Sequence, residues 1–247
     1  AFWTHKMLSM TDVKAVKEAT PKSLAIGRPG LKTISENVWL DHFHNESDLS
    51  LLKELNGKKI FTPSRLNQEI IKSFCPDSTV LVQTKPLPWV EPEFLNLFKN
   101  KEYIVSFHRS KESTDRLIKL WKDEYPYLVL VGARGNFKNK IILVNEYLSY
   151  NILIGILLES QGVIDFDRVS DKSSGMVRLS FNLGIPTMTT SWEHFKDSNV
   201  FIPSVDGYPS ASFLEEACQK IKNSSKKEPQ INKIKLEFEQ GCETLLK

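Results

Sequence analysis

Short β-branched and aromatic runs recur along this chain, and most neighbouring pairs are separated by a stretch of helical length. KIFT at Lys59–Thr62, TVLVQ at 79–83, YIVSF at Tyr103–Phe107, YLVLV at Tyr127–Val131, IILV at Ile141–Val144, VIDF at 163–166 and TMTT at 187–190 are the clearest. Runs this short and this apolar suit strands buried on both faces. Buried strands of that kind belong to parallel sheets, whose strands must be joined by crossover connections. Helical periodicity fills the gaps. Leu49, Leu51, Leu52 and Leu55 lead to Gly57; Arg65–Phe74 follows Pro63; Leu117, Ile118 and Trp121 line one face of 113–123; further helices fall at Tyr150–Glu159 and 210–222. Nearer the start, 23–26 and 37–43 read as strands, and Thr11 caps a helix carrying Val13, Val16 and Ala19. A strand is also expected at 199–202, and an amphipathic helix at Ile231–Leu246. This alternation predicts an α/β protein with parallel sheets and right-handed crossovers.

The alternation is interrupted once. KPLPWVEP at 85–92 carries three prolines and reads as an extended, stiff connector. It divides the chain into two Rossmann-like domains, the first of them reduced. The expected boundaries are 1–84 for the N-terminal domain, 85–100 for the connector and 101–222 for the second domain. A polar linker and the C-terminal helix occupy 223–247.

Composition narrows the partners. A formal net charge of +3 over 247 residues is too weak for a dedicated nucleic-acid binder. Cys75, Cys218 and Cys242 show no CxxC spacing and read as reduced thiols of a cytoplasmic protein. Asn45-Glu46-Ser47 and Asn223-Ser224-Ser225 match the glycosylation tripeptide, which chance also supplies. The apolar run ILIGILL at 152–158 falls far below the roughly 18 residues of a membrane span and reads as a buried helix. A peripheral membrane contact stays open.

The stretch 163–190 carries the strongest functional signal. It reads as strand, polar loop, helix and strand, and the helix opens on Ser173-Ser174-Gly175 and stops at Gly184-Ile185-Pro186. A loop that leaves the carboxyl end of a parallel strand and feeds a helix N-terminus is where open α/β sheets bind anions. A plain N-cap uses the same residues. Asp165, Asp167 and Asp171 surround the loop, where they suit either Mg²⁺ or loop stabilisation.

Several landmarks occur in the order found in GT-B glycosyltransferases, which the chain resembles over about residues 60–222. Phe61-Thr62-Pro63-Ser64-Arg65 is similar to the strand-to-helix step closing the family's N-terminal domain, and Val82 to Pro88 to its interdomain segment. Ser106-Phe107-His108-Arg109-Ser110-Lys111 resembles the "GR…K" loop, with His108 replacing the glycine. Val129 to Gly132 resembles the next strand, and the stretch from Ser173 to Pro186 the donor-binding helix with its terminal "GxP". Many members place a glutamate five residues before that glycine to grip the donor ribose; here the position is Leu179.

The resemblance implies a hexosyltransferase-type enzyme that moves a sugar from a nucleotide-diphosphate donor to an unassigned acceptor. No cofactor and no divalent metal are implied for the chemistry. Charge grows on the leaving diphosphate, so cations and helix amides are the groups that stabilise it. By resemblance the phosphate ligands are Arg109, Lys111, Ser173, Ser174, Gly175 and Arg178, while Arg134, Glu193 and His194 border the sugar and base. Asp41 or His42 would take the acceptor proton in an inverting reaction. The reduced first domain and Leu179 also fit a non-catalytic nucleotide-sugar-binding or assembly subunit. A nucleotide-sugar epimerase would share the architecture.

Overall fold

In a computed structural model, residues 20–22, 24–27, 33–40, 46–63, 65–83, 86–95, 101–107, 111–133, 140–144, 148–165, 175–189 and 210–246 are described. The helix expected after Thr11 and the strand expected at 199–202 lie outside these residues. The described chain divides into two compact units. Residues up to Pro88 and from Asn232 onward form one, and residues from Trp89 to Ile231 form the other.

The first unit is built on four strands: β1 (Leu24–Gly27), β2 (Asn37–Leu40), β3 (Lys59–Thr62) and β4 (Thr79–Val82). They lie in sequence order and every neighbouring pair is parallel. Helix α1 (Glu46–Leu51) with a following 3-10 turn (Leu52–Leu55), and helix α2 (Arg65–Phe74), supply the crossovers. Alternation sorts the strand residues between two faces. Val38, Leu40, Ile60 and Val80 pack with Leu52, Leu55, Ile71 and Cys75. Trp39 and Phe61 face the other way and meet Leu245 of helix α7 (Ile231–Leu246). The last helix of the chain therefore completes the core of its first unit. Pro86 and Gln83 approach Gly241 so closely that any larger residue there would displace them.

The second unit holds β5 (Tyr103–Phe107), β6 (Tyr127–Val131), β7 (Ile141–Val144), β8 (Gly162–Asp165) and β9 (Thr187–Thr189). All pairs are parallel, in the spatial order β7-β6-β5-β8-β9. Both β5 and β8 are buried at every position, as fits strands covered on both faces. The helices are α3 (Lys111–Leu120), α4 (Tyr150–Glu159), α5 (Gly175–Asn182) and α6 (Ala211–Asn223). Leu117 of α3 and Phe213, Leu214, Ala217, Cys218 and Ile221 of α6 cover one sheet face, against Ile104, Leu128, Leu130, Ile164 and Met188. On the alternate face the Tyr103 hydroxyl donates to the Ile156 carbonyl of α4 at 2.7 Å.

The described connector residues 86–95 form neither helix nor strand. It is nonetheless held. Glu93 N–H donates to the Asn151 carbonyl at 3.1 Å, and the Asn151 amide donates to the Glu93 carboxylate at 2.7 Å. Glycine at 155 lets this backbone lie against α4, since a Cβ there would stand 2.2 Å from the Glu93 carbonyl oxygen.

The polar stretch after α6 is also fastened, to the carbonyl ends of two helices. Lys226 Nζ donates to the Leu158 carbonyl at 2.7 Å. Lys227 N–H donates to the Gly184 carbonyl at 2.9 Å, and Gln230 N–H to that of Asn182 at 3.0 Å. Helix C-termini leave carbonyls without intrahelical donors, and this segment supplies one side-chain and two backbone donors.

The Gly184-Ile185-Pro186 step is a Schellman cap. Ile185 N–H reaches the Ser180 carbonyl and Gly184 N–H that of Phe181. Gly184 takes φ +70°, and a Cβ would come within 2.2 Å of the Lys227 carbonyl oxygen. Gly184→Ala should thus lower stability by about 2 kcal/mol or more, measured as a shift in the denaturant midpoint. Leu245→Ala should cost about 2–4 kcal/mol. Hydrogen exchange should localise that loss, with faster exchange in β2 and β3 and unchanged exchange in β5 and β6.

Candidate functional site

Among the described strands, the second sheet reverses its direction of growth once. From β5 the chain moves outward through β6 to β7, then returns to lay β8 on the other side of β5 and continues to β9. Right-handed crossovers in opposite directions must place α3 and α5 on opposite faces. At the carboxyl ends of β5 and β8 the two connections therefore diverge and leave a crevice, the standard ligand position of open α/β sheets. Ser106 pairs with Ile164, so β5 and β8 end level with each other.

Two of the segments singled out from sequence begin at this edge. Helix α3, opening on Lys111, is the first element after β5, and α5, opening on Gly175, is the first after β8. The order of strands sets β5 beside β8, so these two helices, distant in the sequence, each follow one of two neighbouring strand ends. Lys111 is exposed and ion-paired with Asp115 one turn along the same helix. A ligand recruiting Lys111 must compete with that carboxylate, a modest obstacle for an exposed pair. Arg178 lies one turn into α5 and is half-buried. Asp41, His42, Arg109, Arg134, Ser173, Ser174, Glu193 and His194 lie outside the described residues.

Leu179 is fully buried, with Val177 and Ser180 of the same helix. At the position where the resemblance leads one to look for a ribose-binding carboxylate, the side chain is thus core.

Sequence reasoning gave less weight to the buried polar floor of the site. Asp165, the last residue of β8, pairs in register with Thr189 of β9, and both are fully buried. Ser106 near the end of β5 is buried as well. Polar residues at the carboxyl ends of otherwise apolar strands were the available signal. Among the described residues, no group of three or more His, Cys, Asp or Glu side chains could hold a metal ion. The thiols are poor nucleophiles at neutral pH. Burial pushes Cys218 up to about 12 and Cys242 up to about 11, and it raises Cys75 too.

The fold is that of GT-B glycosyltransferases, two Rossmann-like units with parallel sheets. Among solved structures, TarM matches 90% of this chain and 52% of its own, at 12% identity and a TM-score of 0.56. The glycosyltransferase SnogD from Streptomyces nogalater matches 85% of this chain and 70% of its own, at 12% identity and a TM-score of 0.45. The glycosyltransferase of kitacinnamycin gives 76% and 51%, at 9% identity and the same TM-score of 0.45. The chain spans about half the length of TarM. No protein-family model matches the sequence, and no curated protein does.

Burial at 179 generates a direct test. Leu179→Glu should destabilise the second unit by several kcal/mol, because an acid placed in the core loses its hydration. It should bring no gain in nucleotide affinity. Thermal unfolding and nucleotide titration of the same preparation measure both.

Proposed function

We propose that the chain binds a nucleotide-diphosphate sugar at the β5–β8 edge and transfers the sugar to an acceptor, as a hexosyltransferase. The observation that carries this reading is that α3 and α5 follow the two strands that flank the reversal point of the described sheet. Amides at the start of α5 would face the diphosphate, with the hydroxyls of Ser173 and Ser174 beside them. Gly175 would let the backbone come close to the ligand. Arg109, Lys111 and Arg178 would neutralise the charge that grows as the glycosidic bond breaks. Arg134, Glu193 and His194 would border sugar and base. Asp41 or His42 would accept the proton of the acceptor hydroxyl if the reaction inverts.

This chemistry needs no cofactor and no divalent metal, because the positive groups already address the leaving group. Among the described residues no helix is long and apolar enough to cross a membrane, and a cytoplasmic setting suits a nucleotide-sugar donor. Nucleic acid is not an expected partner.

One observation favours a second reading. With Leu179 in the core, α5 offers no carboxylate from that position to the ribose hydroxyls. A subunit that binds a nucleotide sugar, or assembles with a partner enzyme, without catalysing transfer would need no such grip.

Titration with a panel of nucleotide sugars tests the main reading, since a ligand selective for the native state raises the unfolding temperature. At least one should do so saturably, and Arg178→Ala should weaken it about tenfold or more. Equal binding by the parent and the variant would remove the site assignment. Donor binding without turnover, with acceptors and with water alike, would select the second reading.

A further inference from the structure

Asp165 is the last residue of β8 and is fully buried. Its side chain belongs to one definite face of the sheet. Ile164 and Met188 pack into the layer formed by α3 and α6. Strand alternation turns the next residue of each strand, Asp165 and Thr189, to the opposite face. These two are partners in register. The opposite face is the one on which α5 lies, against β8 and β9. A carboxylate thus sits at the carboxyl end of the strand that precedes α5, on the α5 side and out of water. It has an interaction of its own, and it still adds one acidic group to this edge. Burial favours an apolar residue at such a position, so the acid is kept there at a cost.

We propose that Asp165 is a specificity-determining residue of the β5–β8 edge, weakening the hold on a free nucleotide diphosphate more than on the diphosphate sugar. This rests on the donor reading of that edge. A site made only of cations and helix amides favours the more highly charged ligand. After transfer that ligand is the product, because the free diphosphate carries one more negative charge than its sugar ester. The groups that stabilise the leaving diphosphate therefore also retain it. A negative charge behind them opposes the product more than the donor and offsets that retention. Its burial matters, because water and salt screen a buried charge much less than an exposed one.

Calorimetric titration with pairs of ligands tests the assignment. Each pair is a nucleoside diphosphate and its glucose ester, taken in the uridine, guanosine, adenosine, cytidine and thymidine series. Asp165→Asn keeps the shape and removes the charge, and Asp165→Ser is a second neutral replacement. Either should tighten the free diphosphate about threefold or more relative to its glucose ester. A structural role alone would shift both ligands of a pair alike, so an unchanged ratio overturns the assignment. Failure of both variants to fold makes Asp165 a structural residue and overturns it too. If the parent binds neither member of any pair, the donor reading falls and takes this assignment with it. The first two failures appear only in the variants and the last in the parent, so they are distinguishable.

Discussion

The hydrogen-bonded pairing of β5 with β8 is the interaction on which the candidate site depends. Parallel strands cannot be joined by tight turns, and the steps from β5 to β6, from β7 to β8 and from β8 to β9 each carry a helix. Had β8 been laid beside β7, every crossover would run the same way and α3 and α5 would share a face. Placing β8 against β5 reverses the direction of growth and parts the two helices. The consequence is electrostatic as well as geometric. The two helices that follow these adjacent strand ends each carry a positive partial charge at the N-terminus.

Much of this was legible in the sequence because burial on both faces leaves a strong local mark. YIVSF and YLVLV can scarcely be anything but central strands, and they occupy Tyr103–Phe107 and Tyr127–Val131. The role of Gly184 as a helix stop was legible too, since Gly followed by Pro is local chemistry. The close passage of Lys227 over that glycine was not. The stretch around Lys226 is polar and reads as a free linker, because donors to helix carbonyls look no different from solvated residues. The return of α7 to the first unit left no local trace either. Amphipathic periodicity says that Leu245 seeks a core, and only the tertiary contact with Trp39 and Phe61 says which one.

The site was legible in its placement more than in its detail. Reading a strand, a polar loop and a glycine-led helix points to a sheet edge of the kind at which open α/β folds bind anions. What a side chain does there depends on helix phase. Arg178 and Leu179 are adjacent in the chain, yet one is half-buried and the other wholly within the core. The spacing of Val177, Leu179, Ser180 and Leu183 holds that phase information, and all four are buried. A motif position can thus be occupied by a residue that the packing has withdrawn from the ligand.

That withdrawal bears on selectivity under the proposed function. A diphosphate held by amides and cations is recognised by charge, which every nucleotide diphosphate offers alike. Ribose is distinguished by its hydroxyl pair, and a buried site that hydrogen-bonds such a pair rejects analogues lacking it far more strongly than an apolar surface can. With Leu179 turned into the core, α5 contributes charge recognition and no hydroxyl recognition from that position. Affinity at this edge should then be sensitive to ionic strength wherever the contributing cations are exposed, as Lys111 is. Under that reading, discrimination among nucleotides would come from positions other than 179. Under the proposed function, selectivity and phosphate binding would then rest on different groups, and loss of one need not entail loss of the other.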